Sequence, residues 1–241
     1  MSHLDFRRAR SDEQREERRR AILATAAGML AEMPVAELSL NALSRRVCLA
    51  KSNVLRYFES REAILLELLD GATREWIDRV RGDLRAAPAG EVESVARVLA
   101  GSLADSPLLC ELISVSASVL ERNVSAAVAA RHKRATMANG AALAALISER
   151  LPGLSEDGAV NFTVCAYLVT GAAWPHTHPG VAMLQAYAQD PELAAMRMDF
   201  QTALREALAT LLAGCLARWP VGPTVGSQAS STRTGGLSAS R

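Results

Sequence analysis

Apolar residues recur every three or four positions along most of this sequence, and no segment alternates apolar and polar residues strongly enough to predict a strand. Spacings of three and four place side chains on one face of an α-helix, whereas a strand needs a period of two. The most regular stripe lies near the C-terminus and comprises Leu193, Met196, Phe200, Leu204, Leu208, Leu211 and Cys215. The spacing therefore predicts an all-α fold.

The composition also favours helices. Ala and Leu dominate, and only nine prolines interrupt the 241 residues. Ala, Leu, Arg and Glu lose little conformational freedom in a helix. With 49% hydrophobic and 22% charged residues, the chain has the composition of a soluble globular protein, and its length allows one domain or two.

Breaks in the helical pattern divide the chain into parts. Residues 1–11 are polar and basic, which predicts a disordered arm. Residues 12–60 form a first domain of short helices, and residues 60–86 form a long helix that leads out of it. An Ala-Pro-Ala-Gly break opens a second helical domain at residues 87–219, and the Gly-, Ser- and Thr-rich residues 220–241 are predicted to be disordered.

Local signals place the helices within these parts. Pro34 ends the first helix, and Ser39 can cap the second. No internal repeat is present. The predicted helices occupy residues 12–33, 39–47, 50–58, 60–86, 91–104, 107–120, 123–149, 155–174 and 191–218.

Charge is distributed unevenly along the chain. Residues 1–60 carry 11 Lys/Arg and 8 Asp/Glu, a net charge of +3, although the whole chain has a net charge of only +1. Residues 39–58 contain four basic side chains and no acid. A short basic segment in a balanced chain is a candidate site for phosphates.

The same segment has the pattern of two short helices joined by a tight turn. A lock of apolar side chains holds the helices together: Leu43, Val47, Leu49, Val54 and Tyr57. Small residues, Ser44 and Cys48, lie where the backbones cross. The first turn of the second helix exposes Lys51, Ser52 and Asn53, and the arginines around it are Arg45, Arg46, Arg56 and Arg61. Such a unit can place one helix in the major groove of DNA.

The run SLNALSRRVCLAKSNVLRYFESREAIL at residues 39–65 resembles the N-terminal motif of the tetracycline-repressor-like (TetR) family. The match covers residues 15–70, and the later helices fit the family in outline. The resemblance implies a DNA-binding domain followed by a helical domain for ligand binding and dimerisation. It also implies base contacts from Lys51, Ser52 and Asn53, and phosphate contacts from Arg45, Arg46, Arg56, Tyr57 and Arg61. Arginines of the N-terminal arm would reach a neighbouring groove.

Four positions depart from the family motif. Cys48 stands where the family usually has Gly, and a left-handed backbone there would cost on the order of 1 kcal/mol. Ala50 replaces the usual Ser, which removes the ordinary cap of the recognition helix. Ser52 and Leu55 replace residues that are often Gly and Tyr. These substitutions bear on individual contacts rather than on the fold.

The second domain is predicted to form a homodimer and to bind a small-molecule effector. The two most apolar helices, at residues 155–174 and 191–218, are the predicted dimer seam. The family implies a cavity among the middle helices, although a single aromatic or Met residue at helical spacing belongs to the core more often than to a pocket. The candidate lining residues are Cys110, Met137, Phe162, Cys165, Tyr167, Trp174 and His176. Few charges after residue 158 favour an uncharged or hydrophobic effector.

Cysteine spacing and hydropathy indicate the cellular compartment of the chain. Four cysteines lie far apart with no paired spacing, which predicts free thiols in a reducing cytoplasm. Residues 158–189 contain no Asp, Glu, Lys or Arg, but Pro175 and Pro179 interrupt them. A buried helix is therefore predicted rather than a membrane span. His176 and His178 lie close together in the sequence, but no third metal ligand stands near them. A loop is therefore favoured over a metal site.

Other classes of function find less support. The sequence has no nucleotide-binding glycine loop, HExxH or GxSxG motif, and neither an enzyme nor a cofactor is predicted. A helical adaptor or ligand-binding protein without DNA binding remains the alternative. Such a protein would not require the polar residues Lys51, Ser52 and Asn53 beside a ring of arginines. A repressor released by its ligand is the main prediction. Activation, or use of the ligand as a corepressor, would need the same DNA reader.

Overall fold

A computed structural model describes residues 3–221 of the chain, with side chains from residue 13 onward. Within that range the chain is helical and has no strand, which confirms the predicted all-α fold; Leu154 and Pro220 form a single isolated bridge. The helices are α1 His3–Leu30, α2 Leu40–Arg46, α3 Lys51–Val54, α4 Arg61–Ala86, α5 Val92–Ala104, α6 Pro107–Val115, α7 Ala126–Arg150, α8 Glu156–Thr177, α9 Val181–Gln189, α10 Pro191–Ala194 and α11 Phe200–Arg218.

The first four helices make one end of the molecule. α1 packs on α2 and on the first part of α4, and α2 packs on α3. Their shared core is fully or nearly fully buried and includes Ile22, Ala26, Leu43, Val54 and Ile64. Burial of this apolar surface drives the packing, so the short helices α2 and α3 depend on α1 and α4 for their stability.

The remaining helices form the body of the molecule. α4 lies against α5, α6 and α7, and α8 lies against α6 and α7. α11 packs between α5 and α8. Because α4 belongs to both the first core and the body, it connects the two structurally.

The N-terminal helix is longer than predicted. α1 begins at His3 rather than at Asp12, so the prediction of a disordered arm over residues 1–11 is wrong from residue 3 onward. Residues 7–20 are rich in Arg and Glu and contain neither Gly nor Pro, so the helix that is anchored by Ile22 and Ala26 can continue toward the N-terminus. The side chains of the arm's arginines lie outside the described residues, as do residues 222–241 of the predicted tail.

The C-terminal helices are more divided than predicted. The predicted helix at residues 191–218 consists of α10 and α11, because Asp199 caps α11 by accepting a hydrogen bond from the Thr202 amide at 2.9 Å. Leu193 and Met196, which the sequence pattern placed in one continuous apolar stripe with α11, precede α11 and are 38% and 71% exposed. α9 was not predicted.

A middle segment also differs from the prediction. Residues 107–120 were predicted as one helix, but they form α6 followed by a wide helical turn at Ser116–Leu120.

The charge-poor residues 158–189 are divided between α8 and α9. The His178 imidazole stacks on the Trp174 ring with the two centroids 3.7 Å apart. The described residues contain no group of three or more His, Cys, Asp or Glu side chains that could hold a metal ion. Between residues 3 and 221 no single helix is long and apolar enough to cross a membrane; α5 and the segment 107–123 pass that test only together, across an 89° bend.

Candidate nucleic-acid interface

Helices α2 and α3 are joined by the predicted tight turn. The Ser39 side chain caps α2 by accepting a hydrogen bond from the Ala42 amide at 3.1 Å, which confirms the predicted cap. The Leu49 amide donates to the Ser44 carbonyl at 3.0 Å and closes the turn. Leu43 and Val54 are buried at the contact between the two helices. The polar side chains of α3 are therefore fixed by an apolar lock beneath them.

Cys48 has the left-handed backbone that its place in the turn suggested. Its φ is 55°, and it is the sole non-glycine residue with a positive φ among residues 3–221. A Cβ atom is strained in this region because it approaches the following carbonyl oxygen. The turn therefore retains a geometry that suits Gly, even though the chain has Cys there.

Replacing this cysteine should stabilise the protein. We expect Cys48→Gly to raise the free energy of unfolding by about 1 kcal/mol, because Gly adopts positive φ without strain. Urea unfolding followed by circular dichroism measures this as a higher midpoint at an unchanged slope. The control is Cys48→Ala, which keeps the Cβ and should bring no such gain; equal stabilisation by Ala would show that backbone strain is not the cause.

The second helix presents its polar residues to solvent. Lys51, Ser52 and Asn53 are all exposed, whereas Val54 directly after them is fully buried. Ala50 precedes α3 and makes no side-chain cap, as its lack of a hydroxyl predicted. The first turn of α3 is therefore an accessible row of one ammonium, one hydroxyl and one amide.

The predicted arginine ring is only partly free. Arg45 and Arg56 are exposed and make no ion pair with any described side chain. Arg46 is exposed too, but it forms an ion pair with Glu32, which lies two residues after the end of α1. Arg61 donates to the Val35 carbonyl and is directed inward, so its predicted place in the ring is not where its guanidinium lies. Two arginines of the ring, Arg45 and Arg56, therefore have no ion-pair partner among the described residues.

The unit formed by α2, the turn and α3, residues 39–58, is called the reader below, and the aromatic pair at its end has mixed roles. Phe58 is buried and belongs to the core. Tyr57 is half-buried, and its carbonyl accepts a hydrogen bond from Arg19 at 2.5 Å. The Arg19 guanidinium lies over the Phe58 ring, 4.3 Å from its centroid. α1 therefore holds the end of the reader through Arg19.

Sequence reasoning missed two further arginines beside this surface. Arg15 and Arg18 on α1 line a shallow cleft of about 700 Å³ together with Arg56 and Tyr57. Their spacing of three residues puts them on one face of α1, and this was a signal that the sequence offered. Their charges extend the basic surface from α3 onto α1.

Two carboxylates attach the reader to the body. Glu59 accepts hydrogen bonds from the Ser125 amide and the Ser125 hydroxyl, each at 2.7 Å, at the start of α7. These hydrogen bonds, with a smaller contribution from the nearby Arg131 charge, lower the pKa of Glu59. Glu111 on α6 accepts from the Val35 amide at 2.7 Å. The reader is thus connected to α6 and α7 as well as to α4.

Four effector candidates lie in the core of the body or pack against it: Cys110 and Phe162 are buried, and Tyr167 and Trp174 are half-buried. Cys110 and Phe162 are fully buried, and burial raises the pKa of the Cys110 thiol to about 12. The Tyr167 hydroxyl is 2.8 Å from the Ser116 hydroxyl, and burial raises its pKa. The Trp174 ring meets the Phe200 ring edge-on at 5.0 Å. These four side chains pack among other core residues.

The other effector candidates lie nearer the surface. Met137 is 73% exposed, and His176 is exposed at the end of α8. Cys165 is half-buried, with its sulfur 3.7 Å from the Asn161 side-chain oxygen. None of the seven candidates lines the cleft beside Arg15 and Arg18, the cavity bounded by α1, α4 and α7, or the cleft between α4 and α5. The seven candidates therefore occupy both buried and exposed positions, and their role in effector binding stays a prediction. All four cysteines are free thiols.

One apolar stripe on α8 faces away from the body. Val160, Val164 and Leu168 are 52%, 54% and 63% exposed. Their spacing of four residues places them on one face of the helix. On the adjacent α11, Ala213 and Gly214 are exposed, so a second helix could approach closely there.

The body of the molecule resembles a known protein family. Residues 70–219 match the family model described as the tetracyclin repressor-like C-terminal domain. This match begins where the N-terminal motif ends, and it covers the part of the chain that sequence reasoning fitted to the family only in outline. No curated protein matches the sequence.

Several solved structures share the fold. A Streptomyces coelicolor A3(2) protein provisionally assigned to the TetR family of transcriptional regulators superposes with a TM-score of 0.54 at 18% identity, over 83% of this chain and 99% of that one. A Mesorhizobium loti MAFF303099 protein with the same provisional assignment gives a TM-score of 0.51 at 13% identity, over 86% and 98%. The multidrug-binding protein EbrR, complexed with imidazole, gives 0.50 at 18% identity, over 86% and 97%. The chain belongs to the tetracycline-repressor-like family of transcriptional regulators.

Proposed function

We propose that this chain is a homodimeric DNA-binding repressor that recognises a palindromic operator and is released from it by a small molecule. The observation that carries the proposal is the exposed row of Lys51, Ser52 and Asn53 on a helix whose next residue, Val54, is fully buried. A polar row on a locked helix can enter the major groove without losing its own packing.

The chemistry of the row suits base edges. Lys can donate to the O6 and N7 atoms of guanine, and Asn can pair with adenine through two hydrogen bonds. Arg45 and Arg56 flank the row without a described acidic partner, and Arg15 and Arg18 continue the positive surface. Contacts of these arginines with phosphates would set the register of the protein on DNA.

The dimer in this proposal forms through α8 and α11. The exposed stripe of Val160, Val164 and Leu168 supports it, because a stripe of this kind is stabilised when a second copy covers it. A two-fold axis through such an interface would give two readers related by symmetry, which matches the symmetry of a palindrome.

The effector in this proposal binds inside the body. EbrR, which shares the fold, is described as a multidrug-binding protein and holds imidazole. An effector site near Cys110, Phe162 and Tyr167 would be largely apolar. Such a ligand releases DNA only if it binds the DNA-free conformation more tightly, and the loss of DNA affinity equals that difference.

The test is selection of binding sites from random duplex DNA, followed by a salt titration on the selected site. We expect a palindrome with two half-sites, and an affinity that falls steeply with salt because phosphate contacts release counterions. If folded, monodisperse protein enriches no site, the proposal is wrong, and a helical adaptor without DNA binding becomes the better interpretation.

A further inference from the structure

A second cavity lies between the reader and the body. It has a volume of about 520 Å³ and is bounded by α1, the reader turn after α3, α4 and α7. Its lining residues are Arg19, Leu55, Arg56, Tyr57, Phe58, Glu59, Ala63, Leu66, Glu67, Asp70, Arg74, Val128, Arg131, His132 and Ala135. The volume is in the range of small-molecule sites. We call it the hinge cavity because it lies between the reader and the body. None of the seven predicted effector residues lines it.

The floor of the hinge cavity is apolar. Phe58, Leu66 and Val128 line it and are buried. Charged side chains surround this floor. A ligand that fits both surfaces has an apolar body and at least one charged group.

The charges that surround the floor favour an anion. Arg19 is paired with Glu67 at 2.5 Å, and Arg74 is paired with Asp70 at 3.2 Å. The third carboxylate, that of Glu59, is held by Ser125. Two guanidinium groups, those of Arg56 and Arg131, form no ion pair within 4 Å with a described side chain; Arg131 is near Glu59, whose carboxylate accepts hydrogen bonds from Ser125.

A buried histidine adds a polar group that lacks a partner. The His132 side chain is 4% exposed and lines the hinge cavity, and neither of its ring nitrogens has a hydrogen-bond partner among the described residues. Its Nε2 atom is 3.7 Å from the Glu121 carboxylate, which is too far for a hydrogen bond. Burial lowers the pKa of His132, so the neutral ring offers one N–H donor at neutral pH. Buried polar groups without partners are rare in folded proteins.

We infer that the hinge cavity binds a small organic acid whose carboxylate lies between Arg56, Arg131 and His132 and whose apolar body covers the floor. Both arginines donate to the carboxylate, and the imidazole N–H gains the partner it lacks. This site differs in place and in ligand class from the effector site proposed within the body.

Occupancy of the hinge cavity is expected to oppose DNA binding. Arg56 is one of the two uncommitted arginines assigned above to DNA phosphates, so the acid and DNA compete for the same guanidinium. This coupling rests on the proposed function, whereas binding of the acid to the free protein does not.

The first test measures binding of 1-naphthoate to the full chain by isothermal titration calorimetry, with 1-naphthamide as the neutral control. We expect one naphthoate per chain, and binding of the amide weaker by about tenfold or more because it cannot form a charged hydrogen bond. Equal binding of acid and amide, or no binding of the acid, would overturn the inference.

Variants locate the bound acid. Arg131→Gln and His132→Leu should each weaken naphthoate binding by about tenfold, while far-UV circular dichroism stays unchanged. The matched control is Arg134→Gln, since Arg134 is an exposed arginine of the same helix that does not line the cavity. If both cavity variants bind the acid like the unmodified chain, the acid lies elsewhere and the inference fails.

A DNA experiment separates the two proposals. With the selected operator, naphthoate should lower the DNA affinity of the unmodified chain but not that of Arg131→Gln. If the chain binds naphthoate but no DNA, the proposed function fails and the hinge site stands. If Arg131→Gln instead weakens DNA binding and reduces its salt dependence, with no binding of the acid, the cavity serves a DNA phosphate and the hinge site is wrong.

Discussion

The double variant Lys51→Ala with Asn53→Ala should lose affinity for the selected operator by about a hundredfold or more. Both side chains are exposed on α3 and are assigned to base edges, and each well-formed base contact contributes about 1–3 kcal/mol of discrimination. Fluorescence anisotropy with the selected duplex and with a scrambled duplex measures the change. We expect binding to the scrambled duplex to change far less, because the flanking arginines remain.

The salt dependence of binding makes this result specific to base recognition. Loss of base contacts leaves the slope of affinity against salt nearly unchanged, whereas loss of phosphate contacts reduces it. The matched control is Lys133→Ala with Asn123→Ala, which removes the same two residue types from exposed positions of the body. If the α3 variant keeps the original site preference, α3 is not the recognition helix.

The α2–α3 unit was predictable because its determinants are local. Ser39 caps α2 within three residues, and Val54 is buried by the same spacing that exposes the residues before it. The left-handed Cys48 follows from the tightness of the turn rather than from its own residue type. In such a segment the order of residues determines both the backbone and the outward face.

The arginine ring was less predictable because long side chains choose partners that are distant in sequence. Arg61 is directed to the carbonyl of Val35, and Arg46 pairs with Glu32 at the end of α1. Spacing within one helix cannot reveal either partner. Arg15 and Arg18 show the opposite case, since their spacing was visible but their nearness to Arg56 depends on how α1 packs.

The predicted effector residues are spread over buried and exposed positions for a related reason. They were chosen by residue type, and a cavity depends on which helix faces meet. Met137 and Phe162 illustrate this, because one is 73% exposed and the other is fully buried. The break before α11, by contrast, had a local signal in Asp199, an N-cap residue that the continuous apolar stripe concealed.

The second large effect is expected at the proposed dimer seam. Val164→Glu with Leu168→Glu should convert a dimer into a monomer, because the paired surface would bury carboxylates with no partner. An uncompensated buried charge costs several kcal/mol, and two-fold symmetry introduces each substitution twice. We therefore expect the dissociation constant of the dimer to rise by a hundredfold or more, on the order of 3 kcal/mol at least, as measured by sedimentation velocity across a concentration series.

DNA binding distinguishes loss of the dimer from loss of the fold. A monomer that keeps its reader should bind an isolated half-site as the unmodified chain does, but should lose the additional affinity that the palindrome provides. The control is Val119→Glu, which places one such carboxylate at an apolar position outside α8 and α11, where Val119 is 39% exposed. If the α8 variant remains a dimer while its helical content is intact, the seam lies on another face, and the stripe of Val160, Val164 and Leu168 must be covered by something other than a second α8.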